Sequence, residues 1–292
     1  MRTTVLTAVC AGIAAVLPTA APAATAEEVL AEALASYEEQ MENIEDVTIT
    51  SVVTEAGEET PKRAETKYKQ KATVDEREVY LSRSEWSEDG STTYVRIYDG
   101  KNLWEWSVGD EPSKREVDYD PSAVISEEIL ERLEAEHVGT ETLDGHAVEV
   151  LQITNMLDLM DVPAGERKMV ESVEATAWIG SEDPVMRQMR LEISGPMGQM
   201  KSVTSYEDYR SESGMLVPYV TITRGSTEPS EKMMEMMEAR LQQVPEAQRE
   251  AARTQMMAEM GKEDVETTKV VSVEVNTGLP DDLFDGNALG TQ

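Results

Sequence analysis

The pattern of apolar and polar positions near the N-terminus changes twice. Residues 5–17 are almost all apolar, whereas in residues 27–45 apolar side chains recur every three or four positions. That spacing predicts an amphipathic helix. Its apolar stripe consists of Leu30, Leu34, Tyr37, Met41 and Ile44. From Val47 the period falls to two, which predicts that the chain continues as a strand.

Alternating positions then extend through most of the chain. Short turn sequences such as Glu88-Asp89-Gly90 and Asp144-Gly145 separate them, as expected for hairpins. We predict about ten or eleven strands between Val47 and Val275. An antiparallel sheet of that size tends to curl, and helices can then cover one of its faces. The pattern therefore predicts an α+β fold.

Two segments interrupt the strands. Asp120-Pro121 opens a predicted helix with Pro121 in its first turn and with Ile125, Ile129, Leu130 and Leu133 on its buried side. Residues 229–262 are rich in Met, Glu, Ala and Gln. They predict two helices joined near Val244-Pro245.

The N-terminal apolar run predicts export. Arg2 precedes it, and Ala21-Pro22-Ala23 and Ala24-Thr25-Ala26 each match a leader-peptidase site. Residues 1–26 are therefore interpreted as a signal peptide that is cleaved after Ala23 or Ala26, leaving an exported protein. The run is shorter than the roughly twenty residues that span a bilayer, so no integral membrane protein is expected. The chain's only cysteine, Cys10, lies in this run and follows Val9, which does not suit lipid attachment.

The charge excludes one class of partner. Asp and Glu number 58 against 26 Lys and Arg, and the net charge is -32. Such a surface repels nucleic acids and also anionic lipid headgroups. Two interpretations remain open, a dense acidic surface suited to a salty environment and clustered carboxylates that bind calcium. No regular calcium loop is present in the sequence. We expect neither a metal site nor a cofactor.

Motifs for catalysis are scarce. His137 and His146 are the only histidines, and the sequence contains no Gly-x-Ser-x-Gly, phosphate-binding glycine loop or His-Glu-x-x-His. We therefore expect no enzyme. A carboxylate-based hydrolase of the cell envelope remains a third alternative, because carboxylates are so plentiful that pairs for acid-base chemistry arise by chance.

Several short sequence segments occur in a recognisable order after the leader. They are Tyr98-Asp99-Gly100-Lys101-Asn102-Leu103-Trp104, Leu143-Asp144-Gly145, Ala177-Trp178-Ile179, Tyr206-Glu207-Asp208-Tyr209-Arg210, Gly214-Met215-Leu216-Val217-Pro218 and Val273-Glu274-Val275-Asn276-Thr277-Gly278-Leu279-Pro280. In this order they resemble the outer-membrane lipoprotein-sorting proteins, the LolA-like family. The resemblance covers residues 27–285 apart from the helical insertion.

The resemblance implies a single domain over residues 27–285. Its sheet would be a curled antiparallel half-barrel with helices over the concave face. The chain would also carry a methionine-rich helical insertion at about 227–263 and a flexible tail at 286–292. It implies a soluble periplasmic carrier of acylated lipoproteins or lipid, in lipoprotein sorting. Partners would be acyl chains, an inner-membrane transporter or an outer-membrane acceptor. The alternative is an envelope-stress sensor on the same fold that binds mislocalised lipoproteins without transporting them.

Two groups of apolar residues are candidates for contact with acyl chains. Trp104 and Trp106 lie two positions apart on one predicted strand, so their side chains share a face. The proposed cavity lining consists of Trp86, Trp104, Trp106, Trp178 and Met189. The alternative is ordinary cross-strand core packing.

The second group is in the insertion. Methionine side chains adapt to varied apolar partners, and several recur there at helical spacing. The candidates for a lid or for client contact are Met233, Met237, Met256, Met257 and Met260. The alternative is an amphipathic helical hairpin that packs on the sheet for stability.

Overall fold

Thirteen strands form one antiparallel sheet in the computed structural model, which describes residues 24–117, 130–159, 167–260 and 263–289. The predicted leader up to residue 23, and the helix predicted from Asp120-Pro121 up to residue 129, lie outside these ranges. The predicted fold class, a curled α+β fold with one large antiparallel sheet, is confirmed. The estimate of ten or eleven strands was too low.

The strands account for most of the described residues. In chain order they are β1 (Asp46–Glu55), β2 (Arg63–Val74), β3 (Arg77–Glu88), β4 (Ser91–Tyr98), β5 (Asn102–Ser107), β6 (Ser113–Glu116), β7 (Ala135–Leu143), β8 (His146–Ile153), β9 (Ser172–Gly180), β10 (Met186–Gly195), β11 (Gly198–Glu212), β12 (Met215–Pro229) and β13 (Asp264–Val275).

The order of strands across the sheet is β6-β5-β4-β3-β2-β1-β13-β12-β11-β10-β9-β8-β7. Strands β1 to β6 form one meander and β7 to β13 form another. The two meanders meet only where β1 pairs with β13, the single pair of neighbours that is not consecutive in the chain. Strands β6 and β7 are the two edges of the sheet.

Strand β2 is a strand that the hydrophobic pattern does not predict. Its sequence runs Arg-Ala-Glu-Thr-Lys-Tyr-Lys-Gln-Lys-Ala-Thr-Val, so charged and polar side chains occupy both faces. Pairing with β1 and β3 along its length fixes it nevertheless. Tertiary pairing has overridden a weak local preference here.

The helices are α1 (Ala26–Met41), α2 (Met156–Leu159), α3 (Glu231–Leu241) and α4 (Glu246–Met260). A capping box starts α1: the Thr25 hydroxyl accepts from the Glu28 amide, and Glu28 accepts from the Thr25 amide. The predicted helix at 27–45 ends early, at Met41. None of the helices in the described ranges is long and apolar enough to cross a membrane.

Helix α1 packs on one face of the sheet, which we call the helix-covered face. Its first half, including Val29 and Ala33, contacts Leu151 on β8 and Ala175 and Ala177 on β9. Its end forms a second apolar cluster at the junction of β1, β12 and β13, with Met41, Ile44, Val47, Met215 and Val217. The helix therefore spans both meanders.

The C-terminal segment packs on the opposite face, over β2 to β5. Short 3₁₀ turns at Asp281–Phe284 and Gly286–Ala288 place Phe284 against Trp104. A Cβ atom at Gly286 would stand 2.2 Å from the Trp104 ring, so this contact requires glycine. The flexible tail predicted for 286–292 is therefore wrong for residues 286–289, which fold onto the sheet. Residues 290–292 lie outside the described ranges.

A buried carboxylate holds the two meanders together at the start of β1. Asp46 is 4% exposed. It accepts hydrogen bonds from the Thr277 amide at 2.9 Å, the Thr277 hydroxyl at 3.2 Å and the Gly278 amide at 2.9 Å. In return, the Asn276 side chain accepts from the Glu45 amide at 2.7 Å. Asn276 has φ +56°, a left-handed conformation that asparagine tolerates.

Replacing Asp46 by Ala is expected to lower the free energy of unfolding by about 2–4 kcal/mol. The change leaves two backbone amides and one hydroxyl without their acceptor in a buried site. Urea unfolding followed by circular dichroism measures the loss. The matched control is Glu58→Ala, at an exposed carboxylate in the turn after β1, which should change the free energy by less than about 0.5 kcal/mol. Equal effects of the two substitutions would contradict the role given to Asp46.

Candidate functional site

The helix-covered face is apolar over β8, β9 and β10. Leu151, Ala177 and Ile179 are buried there, and Met189 and Leu191 on β10 pack against them beneath α1. A small cavity of about 80 Å³ lies at the N-terminus of α1. Its walls are Ala24, Glu28, Val29, Glu32, Glu149, Ile179, Gly180, Ser181 and Pro184. The aliphatic surface of β8, β9 and β10, rather than this cavity with its glutamate walls, is the part of the sheet best suited to apolar ligands.

The middle of the same face is more polar. The hydroxyls of Thr204 on β11 and Thr223 on β12 lie 3.2 Å apart. Strand register brings Tyr206 and Thr221 together beside them, and Thr221 faces Thr268 on β13. Burial raises the pKa of Tyr206. The surface therefore changes from aliphatic to hydroxyl-bearing towards the β1–β13 pair, which is the seam between the two meanders.

Beyond the seam, the helix-covered face carries an aromatic pair. The rings of Trp86 on β3 and Tyr94 on β4 have centroids 4.5 Å apart, and the guanidinium of Arg63 stands 5.1 Å from the Trp86 ring. Arg63 bridges Glu65 at 3.0 Å and Glu266 on β13 at 3.1 Å. Trp86 remains 37% exposed, so one edge of the pair is open to a ligand.

Tyr94 is held as a neutral phenol. Its hydroxyl donates to Glu105 at 3.0 Å. Burial is the main cause that raises the pKa of Tyr94 to about 12, and the neighbouring Glu105 carboxylate adds to it. The aromatic pair therefore stays uncharged at any physiological pH.

His137 is part of a small polar cluster beside α1. Its Nε2 lies 2.8 Å from Glu149, which also accepts from the hydroxyls of Ser181 at 2.7 Å and Thr140 at 3.1 Å. Burial raises the pKa of Glu149, but these hydrogen bonds outweigh it, and the pKa lies below its ordinary value. The carboxylate, not the imidazole, contacts the serine, so this arrangement does not activate Ser181 as a nucleophile.

The sequence contains a signal for this cluster. A hairpin that turns at Asp144-Gly145 places Thr140 opposite Glu149 by simple counting, and the structure has that register. Only the bulge between His137 and Gly139 is not readable from the sequence. Among the residues the structure describes, no group of three or more His, Cys, Asp or Glu side chains has a metal-binding arrangement.

An open groove of about 390 Å³ lies on the opposite face, across β7 to β10. Trp178 forms its floor; it is 8% exposed and donates to Glu141 at 3.1 Å. The guanidinium of Arg190 covers the Trp178 ring at 5.4 Å. The other lining residues are Val138, Val150, Gln152, Glu174, Thr176 and Glu192. The groove is mainly polar, and its one aromatic ring, that of Trp178, lies beneath the Arg190 guanidinium.

The predicted cavity residues are divided between the two faces of the sheet. Trp86 and Met189 lie on the helix-covered face, one in each meander. Trp104 and Trp106 come together, but on the opposite face under Phe284. Trp178 is also on that face, in the groove. The five residues therefore do not line one common cavity, and contact of each of them with acyl chains stays a prediction.

The methionine-rich insertion is a pair of helices between β12 and β13. Ser230 caps α3, and its hydroxyl donates to the carbonyl of Pro196 in the β10–β11 hairpin. Met233 and Met237 are half-buried, and Met236 is 46% exposed. The side chains of Met256, Met257 and Met260 at the end of α4 lie outside the described residues. Two helices meeting near Val244-Pro245 are as predicted.

Comparison with known proteins gives structural relatives only. No family model matches the chain, and no curated protein matches it. A solved domain from Vibrio parahaemolyticus, assigned as an outer membrane lipoprotein-sorting protein domain, superposes with a TM-score of 0.53 at 10% identity, over 90% of this chain and 97% of its own. The chain has the fold of the outer-membrane lipoprotein-sorting proteins.

Two further structures are similar to this LolA-like fold. A DUF1329 family protein from Desulfovibrio piger has a TM-score of 0.52 at 10% identity, covering 89% of this chain and 98% of its own. A LolA superfamily protein from Nitrosomonas europaea has a TM-score of 0.47 at 10% identity, covering 89% and 99%. The structures from Vibrio parahaemolyticus and Desulfovibrio piger, whose TM-scores exceed 0.5, confirm the resemblance noted in the sequence for the fold alone.

Replacing Glu149 by Gln is expected to cost about 1–2 kcal/mol of stability at pH 7, through weaker hydrogen bonds in the cluster. Because the folded-state pKa of Glu149 is lowered, its contribution is present above the unfolded value of about 4.3 and is lost as pH falls through the folded value. The difference between the two proteins should therefore shrink below pH 4.

Urea unfolding at several pH values between 7 and 3 measures this difference. The control is Glu136→Gln, at an exposed carboxylate on the same strand as His137, which should cost less than about 0.5 kcal/mol at every pH. A difference for Glu149→Gln that stays constant down to pH 3 would contradict the role of the charged carboxylate.

Proposed function

We propose that this protein is a soluble periplasmic carrier of acylated lipoproteins or lipid, which holds acyl chains on the helix-covered face. The observation that carries the proposal is the continuous aliphatic surface of β8, β9 and β10 beneath α1, on a curled sheet of LolA-like fold. Transfer of an acyl chain to such a surface gains about 0.8 kcal/mol per methylene.

Binding would require α1 to move. The cavity at the start of α1, about 80 Å³, is too small for an acyl chain, which must therefore displace the helix from part of the face. Small side chains favour such a movement, because Ala26 and Ala33 on α1 meet Ala175 and Ala177 on β9 with little interlocking. Separating these alanines costs less apolar contact than separating large side chains.

We include the methionine-rich helices in this proposal. Met236 is exposed on α3, and adaptable methionine surfaces suit clients of varied shape. Helix α3 starts against the β10–β11 hairpin, next to the aliphatic part of the sheet. From that position the hairpin of α3 and α4 would contact a client that enters from this end.

Replacing Met189 by Glu should weaken binding of apolar ligands at least about tenfold, because it puts a charge on the aliphatic surface. Titration with the neutral fluorophore N-phenyl-1-naphthylamine gives the affinity. Native mass spectrometry of the protein purified from a periplasm should also find acyl-bearing mass on the wild type and less on the variant.

The matched control is Gln188→Glu, at the adjacent residue, which faces the other way on the same strand. It adds the same charge and should leave the affinity unchanged. Circular dichroism checks that both variants are folded. Equal weakening by the two substitutions, or a wild-type protein without any bound apolar ligand, would contradict the proposal.

The start of α1 distinguishes between the two cleavage sites. Cleavage after Ala26 would remove the Thr25 cap and the buried Ala26 side chain, which is 8% exposed. Losing such a cap costs about 1 kcal/mol. We therefore expect cleavage after Ala23 and a mature chain that begins at Ala24. The intact mass of the exported protein measures this, and a chain beginning at Glu27 would be the contrary result.

A further inference from the structure

One face of β2 is rich in cations although the chain as a whole is strongly acidic. Arg63, Glu65, Lys67, Lys69 and Lys71 occupy alternate positions of the strand, so these four cations and one carboxylate share one side of the sheet. Contacts of Arg63 with Trp86 and Glu266 identify that side as the helix-covered face. With 58 carboxylates for 26 cations, each of these side chains would be expected to find an acidic partner.

The two ends of this row are paired and its centre is not. Arg63 bridges Glu65 and Glu266, and Lys71 bridges Glu78 at 3.0 Å. Among the described residues, no carboxylate lies within 4.0 Å of the ammonium groups of Lys67 or Lys69. Lys67 is exposed and Lys69 is half-buried. Neither of these two neighbouring ammonium groups therefore has an ion-pair partner, and Glu65, the next residue on this face, is paired with Arg63.

A third cation stands across the next strand. Strand register places Lys67 beside Ser84 on β3, and Ser84 beside Arg96 on β4. Arg96 Nε is buried without a hydrogen-bond partner, and Glu105 lies 3.5 Å away. Glu105 also accepts from the neutral Tyr94 hydroxyl, and its single carboxylate offsets one of the three positive charges. Lys67, Lys69 and Arg96, which we call the cation cluster, thus carry about two net positive charges with Glu105 included.

The spacing of the cation cluster suits one small anion. Adjacent strands lie about 4.8 Å apart, so Lys67 and Arg96 are separated by about 10 Å, and Lys67 and Lys69 by about 7 Å along β2. The long side chains reach over that distance, and between them lies the short Ser84, which adds a hydroxyl donor. A tetrahedral oxyanion above Ser84 would meet two ammonium groups, a guanidinium and a hydroxyl.

We propose that the cation cluster binds the phosphate of a phosphate-bearing ligand, on the same face of the sheet that takes acyl chains. The exposed edge of Trp86 lies one residue pair further along β3 and β4, so an apolar group next to the phosphate would have a surface to contact. The ligand class is then an anionic phospholipid headgroup or a free phosphate ester.

This inference limits what the net charge of -32 implies. Repulsion of anionic headgroups holds for the surface as a whole, but it is screened beyond about 8 Å in physiological salt. Within hydrogen-bond distance the local cations decide. The phospholipid source of the phosphate rests on the proposed lipid-binding function, whereas the anion site itself does not.

The experiment compares two short-chain lipids that differ only in the phosphate. Dihexanoyl phosphatidate and dihexanoylglycerol are titrated into the mature protein by calorimetry, at concentrations at which both are monomeric. The wild type should bind the phosphatidate at least about tenfold more tightly. The double variant Lys67→Gln/Lys69→Gln should bind both lipids equally, with the affinity for dihexanoylglycerol unchanged.

The matched control is Lys201→Gln/Lys269→Gln, at two exposed lysines on the opposite face. It changes the net charge by the same amount and should keep the wild-type preference. Loss of the preference in the control as well would mean that general electrostatics causes it, and would overturn the proposal. So would a preference that survives in Lys67→Gln/Lys69→Gln.

Inorganic phosphate forms a third arm that separates this proposal from the carrier function. If both lipids bind the wild type with equal affinity, acyl binding stands and the phosphate site is overturned. If neither lipid binds but inorganic phosphate binds the wild type and not Lys67→Gln/Lys69→Gln, the site is supported with a free phosphate as its ligand, and the carrier function fails.

Discussion

The pairing of β1 with β13 is the contact on which the rest of the fold depends. Each meander consists of hairpins that form locally, but neither buries its helix-covered face alone, because α1 packs across both. The network of Asp46 with Thr277 and Gly278 fixes the register at one end of this seam. The bridge of Arg63 to Glu266 spans β1 near its other end. A sheet of thirteen strands thereby behaves as one unit.

The two faces of the sheet have different roles. The opposite face is covered over β2 to β5 by the C-terminal segment, whose Phe284 and Gly286 pack against Trp104. The helix-covered face combines aliphatic, hydroxyl-bearing and cationic regions along its width.

Sequence periodicity predicted the local elements better than their arrangement. Helix α1, most hairpins and the insertion follow from apolar spacing and turn residues, which act over a few positions. Strand β2 was missed because its polar side chains lack alternation. The face of the sheet on which Trp104 or Trp178 lies depends on the pairing register of many successive strands. The need for glycine at position 286 becomes visible only once the Trp104 ring is placed next to it. The cation cluster likewise exists only once β2, β3 and β4 are paired.

An open sheet leaves two strand edges with unpaired backbone groups, which other chains could extend. Both edges of this protein discourage that. Strand β6 has four residues, of which Lys114, Arg115 and Glu116 are charged. Strand β7 has a bulge between His137 and Gly139, and bulges break the regular ladder that an incoming strand needs. The sheet can therefore remain unclosed at β6 and β7 without offering a template for aggregation.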